Sequence, residues 1–143
     1  MTNNIKNKEN SSTEVITEKI KNKNELEKIY KFGKTIFSSD RKLKANYLFT
    51  AQANQPIVNY AVAVSSKNGK SVWRNRFKRL VRESIEAEKF RISEIILIGD
   101  SNLSVIISPG AINQSNCEKI FLQDIKPSVL ELLVKIKTRA VKK

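Results

Sequence analysis

The chain has 143 residues, which suits a single domain, and its 40% hydrophobic content supports a modest core rather than a large buried enzyme interior. It contains no His and one Cys, Cys117, so the commonest general base near pH 7 is missing and an intrachain disulfide or Cys-rich zinc site is excluded. A formal net charge of +13 favours a polyanionic partner, because clustered Lys and Arg side chains gain affinity by releasing counterions from phosphates.

The N-terminal segment differs in composition from the rest of the chain. Residues 1–24 are rich in Asn, Lys, Ser, Thr and Glu and contain no aromatic residue, which predicts a disordered, basic polar arm. A single folded domain is predicted over residues 25–139, followed by a short tail at 140–143. The sequence has no apolar run of membrane-span length and no signal-peptide stretch at its start, so we expect a cytoplasmic chain without a membrane partner.

The first half of the domain is predicted to form one helix and two strands. Apolar spacing indicates an amphipathic helix from Asn24 to Phe32, with Asn24 as its N-cap and Gly33 just after its end. Strands are predicted from Leu43 to Gln52 and from Ile57 to Ser65, because β-branched and aromatic residues are concentrated there. The short connection at 54–56 would allow these two strands to form a hairpin.

The second half of the domain begins with a turn at Lys67–Lys70, in which Gly69 or Asn68 can supply any positive φ. A helix is predicted from Ser71, its expected cap, to about Lys89. Residues 94–98 are predicted to be either another strand or the end of that helix.

A short buried strand is predicted at Leu103–Ser108, and a last helix at Gln123–Thr138, which tolerates Pro127 only in its first turn. The order αββαβα indicates an α+β fold, a two-layer α/β sandwich in which helices pack on a mainly antiparallel sheet.

The positive charge is concentrated around the helix that starts at Ser71. Residues 65–82 contain seven basic side chains and no acidic one, and four of the chain's seven Arg residues lie within residues 74–82. At 100° per residue, Trp73, Phe77 and Leu80 share an apolar face, whereas the cations occupy the opposite face, with Arg76 at its border. The planar donor fork of Arg suits phosphates and bases better than a membrane surface, so nucleic acid is the favoured partner.

Other chemistries lack support in the sequence. There is no P-loop, GxGxxG motif, metal-ligand cluster or close carboxylate pair, and the β-rich segment before the basic helix disfavours a helix-turn-helix. Several functions remain open for a chain with such a basic helix. They are a structural ribosomal-type RNA-binding protein or RNA chaperone, a DNA-binding regulator and a self-sufficient nuclease.

The stretch Val58–Ile85, VNYAVAVSSKNGKSVWRNRFKRLVRESI, resembles the protein subunit of bacterial ribonuclease P. The family signature is a strand ending in Val-Ser, a Lys-x-Gly turn, and a helix that opens with Arg-Asn-Arg, continues with Lys-Arg and adds a further Arg. These residues are Val64-Ser65, Lys67-Asn68-Gly69, Arg74-Asn75-Arg76, Lys78-Arg79 and Arg82. The resemblance extends over residues 25–138.

The resemblance implies a ribosomal-protein-like domain with a left-handed βαβ crossover. It also implies a ribonucleoprotein endonuclease, a hydrolase of tRNA processing, in which the RNA subunit cleaves the phosphodiester. Mg²⁺ would be held by the RNA partner and the substrate, and the protein itself would be non-catalytic. The implied partners are the ribonuclease P RNA subunit and precursor tRNA, with no obligate protein partner.

The resemblance also assigns site residues. The RNA-binding residues are Lys67, Lys70, Arg74, Asn75, Arg76, Lys78, Arg79 and Arg82. A cleft for the 5′ leader of precursor tRNA is implied beside the first helix, where the family has two aromatic residues. Tyr30 matches one of them, Leu26 stands at the other position, and Tyr47 on the first predicted strand is a candidate third residue.

Overall fold

The structure is a computed structural model that describes residues 16–51, 57–88 and 101–141. In chain order its elements are β1 (Ile16–Lys19), α1 (Lys23–Phe32), β2 (Lys34–Phe37), β3 (Leu43–Ala51), β4 (Ile57–Val62), a 3-10 turn (Ser66–Asn68), α2 (Ser71–Ala87), β5 (Ser101–Pro109) and α3 (Leu122–Val141). The predicted element at 94–98, the connection at 54–56 and residues 1–15 of the predicted arm lie outside the described residues.

The five strands form one sheet in the order β1-β4-β5-β3-β2. The α+β class is confirmed, but the sheet is mixed, because β3 runs antiparallel to β2 and β5 whereas β4 runs parallel to β1 and β5. The predicted hairpin is therefore wrong, since β5 lies between β3 and β4. An apolar run such as that of β5 is typical of a central strand covered on both faces, and the chain reaches it from β4 through α2. This unit is a parallel βαβ crossover, and its left-handedness stays a prediction.

The main core lies on the face of the sheet that carries α2 and α3. Side chains alternate along each strand, so Leu43, Ala45 and Tyr47 of β3 point to this face together with alternate residues of β4 and β5. The opposite face carries α1, which contacts β3 and β5. Ile29 of α1 and Ile106 of β5 are both buried, and neither belongs to the main core. The two helices of the main core and the first helix therefore leave different surfaces exposed to solvent.

The ordered domain begins earlier than residue 25. Residues Ile16–Lys19, within the predicted arm, form β1 and pair with β4 from Ile57 to Tyr60. Strand β2 was likewise not predicted, and it pairs with Lys44–Tyr47 of β3. Both strands have four residues and lie at the sheet edges, where the neighbouring strand rather than intrinsic propensity determines the conformation.

The starts of all three helices differ from the predictions. Asn22, not Asn24, caps α1, because its side chain accepts a hydrogen bond from the Asn24 backbone N–H at 2.8 Å. Ser71 is the first residue of α2 rather than its cap, and the preceding Lys70 makes no side-chain capping bond. Helix α3 begins at Leu122, so Pro127 lies in its second turn and not in its first. There Pro127 cannot donate the helical hydrogen bond to Gln123.

No helix within residues 16–51, 57–88 and 101–141 has both the length and the apolar content that a membrane crossing requires.

Candidate nucleic-acid interface

Helix α2 divides into an apolar and a cationic face, as its periodicity predicts. Trp73, Phe77 and Leu80 are at most 4% exposed, and the first two rings are stacked with centroids 5.7 Å apart. The Trp73 indole N–H donates to the Cys117 carbonyl at 2.9 Å, so it is satisfied inside the core. Because one face of α2 is anchored in this way, the orientation of the opposite face is fixed.

The predicted RNA-binding residues lie on the solvent-exposed side of α2 and on the turn before it, and this surface is here called the cationic face. Lys67, Lys70, Asn75 and Arg79 are exposed, and Arg74, Arg76, Lys78 and Arg82 are half-buried. Arg79 pairs with Glu83 at 3.8 Å, but both side chains are more than half exposed, so water screens this pair and leaves Arg79 accessible to a polyanion. All eight residues therefore remain at least partly accessible to solvent on α2 or on the turn before it.

Two arginines of the cationic face are held by the protein itself. Arg74 donates from Nε to the Gly69 carbonyl at 3.1 Å, and Arg76 donates from Nε to the Ile120 carbonyl at 2.5 Å. The Arg76 guanidinium also lies 5.5 Å from the centroid of the Phe121 ring. Each contact uses the Nε–H and leaves Nη–H donors for a ligand. These arginines are pre-oriented, which lowers the entropy lost when they bind phosphates.

The turn before α2 is fixed by hydrogen bonds at both ends. Ser65 and Asn68 form a reciprocal capping box around the 3-10 turn. Gln114 connects the turn to the segment after β5, because its backbone N–H donates to the Asn68 carbonyl and its side chain accepts from the Lys70 N–H at 2.8 Å. Gly69 is extended rather than left-handed; a Cβ there would lie 2.9 Å from the Gln114 side chain.

Gln114 and Phe121 are positioning residues that the sequence reasoning missed. Both come from the connection between β5 and α3, and both contact the cationic face only after the chain has folded back by more than 40 residues. No local pattern in the sequence indicates such a contact.

The second predicted site lies on the sheet face that carries α1, here called the α1 face. Ile29 points toward the sheet, and Leu26 and Tyr30 lie about 60° and 100° around the helix from it, on the same flank. Tyr30 is 52% exposed and Leu26 is half-buried. Partial burial raises the pKa of the Tyr30 hydroxyl above its ordinary value, so the phenol stays protonated and able to donate near neutral pH.

The structure does not place Tyr47 on the α1 face. Its side chain is 2% exposed, belongs to the main core and contacts Phe49 edge-on. Successive strand residues point to opposite faces, so the neighbouring Asn46, not Tyr47, lies beneath α1. Asn46 donates to the Thr35 hydroxyl at 2.8 Å, while its Oδ1 has no hydrogen-bond partner among the described residues. Leu43, Ala45 and Tyr47 are apolar or aromatic residues at every second position of β3, and this alternation indicates that Tyr47 points to the main core.

Part of the α1 face remains open beside the helix. A pocket of about 420 Å³ lies between β1, the start of α1 and β4, and it is lined by Glu18, Lys19, Lys21, Asn22, Glu25 and Asn59. Its charged side chains are two acidic and two basic residues. The α1 face therefore lacks the uniform positive charge of the cationic face.

Comparison with known proteins gives consistent matches. A family model described as Ribonuclease P matches residues 16–127. The chain is 27% identical over 125 residues to the ribonuclease P protein component of Bacillus cereus (strain 03BB102), covering 87% of this chain and 96% of that protein. Among solved structures, it is similar to the RNase P protein from Thermotoga maritima, with a TM-score of 0.66, 19% identity, and coverage of 82% and 96% of the two chains. It is also similar to the Staphylococcus aureus RNase P protein, with a TM-score of 0.59, 24% identity, and coverage of 82% and 93%.

Proposed function

Because the chain belongs to the ribonuclease P protein family, we propose that it binds the catalytic RNA of that enzyme and the 5′ leader of precursor tRNA. In this role it assists the endonucleolytic maturation of the tRNA 5′ end, in the cytoplasm, without performing the cleavage. The observation that carries the proposal is the cationic face of α2, where pre-oriented arginines project from a helix anchored in the core.

The cationic face and the adjoining turn are proposed to bind the RNA subunit. Phosphate groups of a folded RNA lie close together, and a rigid row of cations can contact several of them at once. The Nη–H donors left free on Arg74 and Arg76 suit bidentate contacts with phosphate oxygens. Asn75, exposed among the cations, can both donate to and accept from a ribose or a base edge.

The α1 face is proposed to bind the leader. Tyr30 offers an exposed ring on which an unpaired base can stack, and Leu26 extends the same flank with apolar contact. Stacking is tolerant of sequence because every base has a π-face, as a leader of variable sequence requires. Binding there favours precursor over mature tRNA, since the mature product has lost the leader.

Catalysis is assigned to the RNA. Mg²⁺ bound by the RNA subunit and the substrate would supply the activated nucleophile and charge stabilisation for phosphodiester hydrolysis. The part of the chain that the structure describes contains no group of three His, Cys, Asp or Glu side chains suited to a metal ion, so the proposal assigns no metal to the protein. The protein's contribution is to neutralise phosphates and to position the leader.

The test is single-turnover cleavage of a precursor tRNA with a 5′ leader by the cognate ribonuclease P RNA at low Mg²⁺, with and without the protein. We expect the protein to restore cleavage at the mature 5′ end and to be inert alone. RNA binding without any effect on cleavage would instead indicate a structural RNA-binding protein or an RNA chaperone. Cleavage by the protein without RNA would indicate a self-sufficient nuclease.

A further inference from the structure

A second basic and aromatic surface lies at the sheet edge formed by β2. This edge surface includes β2, the turn that follows it and the C-terminal half of α3. In the sheet, β2 is separated from β4 by β5 and β3, a distance of about 14 Å. Helix α2 packs over β4, whereas α3 packs over β3. The edge surface is therefore separate from the cationic face.

Two neighbouring pockets form the edge surface. The larger has a volume of about 600 Å³ and is lined by Thr35, Ile36, Phe37, Arg41, Val134, Lys135, Thr138 and Arg139. The smaller has a volume of about 150 Å³ and lies between Phe32, Lys34, Phe49 and Arg139, among others. Arg139 lines both pockets, so the two pockets adjoin at this side chain.

An arginine and a phenylalanine that line the larger pocket are paired. The Arg41 guanidinium lies 4.9 Å from the centroid of the Phe37 ring, which is 36% exposed. Arg41 has a left-handed backbone with φ of 64°, and the turn holds it there through hydrogen bonds from Arg41 N–H to the Ser38 carbonyl and from Ala111 N–H to the Arg41 carbonyl. The pair is therefore presented by a fixed backbone rather than by a flexible loop.

Helix α3 fixes the edge strand on the other side. Lys135 donates from Nζ to the Phe37 carbonyl at 2.7 Å and pairs with Glu131 at 3.2 Å. Glu131 also accepts hydrogen bonds from the hydroxyl and the backbone N–H of Ser39, and these bonds lower the pKa of its carboxyl group. Its negative charge is thus held by internal contacts.

Within the part of the chain that the structure describes, the remaining cations of the edge surface have no carboxylate partner. Among residues 16–51, 57–88 and 101–141, no ion pair involves Lys34, Arg41 or Arg139, and all three side chains are exposed. An exposed aromatic ring flanked by such cations provides a platform for one base and contacts for the phosphates on either side of it. A duplex hides the faces of its bases in the stack, whereas a single strand can present them.

We propose that the edge surface is a second binding site for single-stranded RNA, separate from the cationic face. Phe37 stacks with a base, and Arg41 and Arg139 contact the adjacent phosphates. This site is additional to the proposed ribonuclease P function. Binding of single-stranded RNA to Phe37, Arg41 and Arg139 does not require that function to be correct.

The experiment titrates the full chain with a fluorescein-labelled oligouridylate and follows anisotropy at several salt concentrations. Three variants are compared with the wild type. Phe37→Leu removes the aromatic face but keeps the apolar packing, and the double variant Arg41→Ala with Arg139→Ala removes the phosphate contacts. The matched control is Lys119→Ala with Lys126→Ala. It also removes two positive charges, but neither residue lines either pocket, and Lys126 lies about 20 Å along α3 from Arg139.

We expect Phe37→Leu to weaken oligouridylate binding by about tenfold. The arginine double variant should lower the slope of log affinity against log salt by about 1.4, which is about 0.7 for each lost phosphate contact. Circular dichroism should show an unchanged fold for each variant. The proposal is overturned if the edge variants bind like the control, if Tyr30→Ala alone removes binding, or if polyglutamate competes as well as unlabelled oligouridylate.

A second measurement separates this proposal from the proposed function. The arginine double variant is expected to retain wild-type affinity for ribonuclease P RNA, because its substitutions lie outside the cationic face. If the wild-type protein fails to support cleavage and still binds oligouridylate through Phe37 and Arg41, the proposed function fails and the edge site stands. If the double variant loses both RNAs in parallel, the edge surface is part of the same interface and the separate site is overturned.

Discussion

The cationic face of α2 and the α1 face lie on opposite sides of the sheet and are built in different ways. The cationic face comes from one continuous stretch, residues 67–82, in which no acidic residue interrupts the basic ones. The α1 face combines residues from β1, α1, β3 and β4, and its pocket contains equal numbers of acidic and basic side chains. Charge therefore dominates the first surface, whereas shape and one exposed aromatic ring dominate the second.

The difference in charge between the two surfaces determines which kind of RNA contact each can make. A row of pre-oriented cations binds phosphates of any sequence, so its affinity should fall steeply with salt. A surface with balanced charge contributes little to that salt dependence and binds through stacking, which salt affects less. The two surfaces can thus be distinguished by measurement.

The largest effect is expected from Arg74→Ala combined with Arg79→Ala. Loss of two charge-assisted hydrogen bonds costs about 3 kcal/mol together, which is about a hundredfold in affinity for ribonuclease P RNA. The slope of log affinity against log salt should fall by 1.4 to 1.8, about 0.7 to 0.9 for each contact. Filter binding across a salt series measures both quantities.

The control for this prediction is Arg74→Lys combined with Arg79→Lys, which keeps the charge and removes the planar donor fork. It should retain most of the salt slope and lose part of the affinity. An unchanged slope in the alanine variant would mean that the cationic face does not bind the RNA backbone.

Gly33→Ala should act on the α1 face and leave the cationic face intact. A Cβ at this position would lie 2.5 Å from both the Ile29 and the Tyr47 carbonyl oxygens, which are backbone atoms and cannot rotate away. We expect destabilisation of about 1–3 kcal/mol, measured by urea unfolding, because α1 must shift on the sheet. The control is Val72→Ala in α2, where the side chain is 80% exposed and the change should be within about 0.5 kcal/mol. Equal stability of the two variants would refute the close approach of α1 to β3.

Tyr30→Ala should reduce discrimination between precursor tRNAs with and without a leader. Loss of one base–aromatic stack costs about 1–3 kcal/mol, and only the precursor that carries a leader should lose this affinity. Tyr30→Phe is the matched control, because it keeps the ring and removes only the hydroxyl. If both variants discriminate like the wild type, Tyr30 does not contact the leader.

The contrast between the two surfaces also explains which parts of the fold and of the candidate sites can be predicted from the sequence. Helical periodicity and a local charge excess are both visible within residues 71–82, so the sequence alone predicts which side of α2 is buried and which side carries the cations. Tyr47 was placed on the α1 face wrongly, because a strand changes face with every residue and a shift by one position exchanges Asn46 for Tyr47. The pairing of β4 with β5 also depends on contacts across more than 40 residues, which no local pattern contains.

The smallest expected change in stability comes from the N-cap of α1, which is Asn22 in the structure and Asn24 in the prediction. Asn22→Ala should destabilise the protein by about 1 kcal/mol, because the Asn22 side chain accepts the hydrogen bond from the Asn24 backbone N–H. Asn24→Ala should change stability by less than about 0.5 kcal/mol, since Asn24 contributes its backbone N–H to that bond and alanine has the same group. Thermal unfolding of both variants measures the difference. If Asn24→Ala were the more destabilising variant, Asn24 would be the N-cap, and α1 would begin at residue 25.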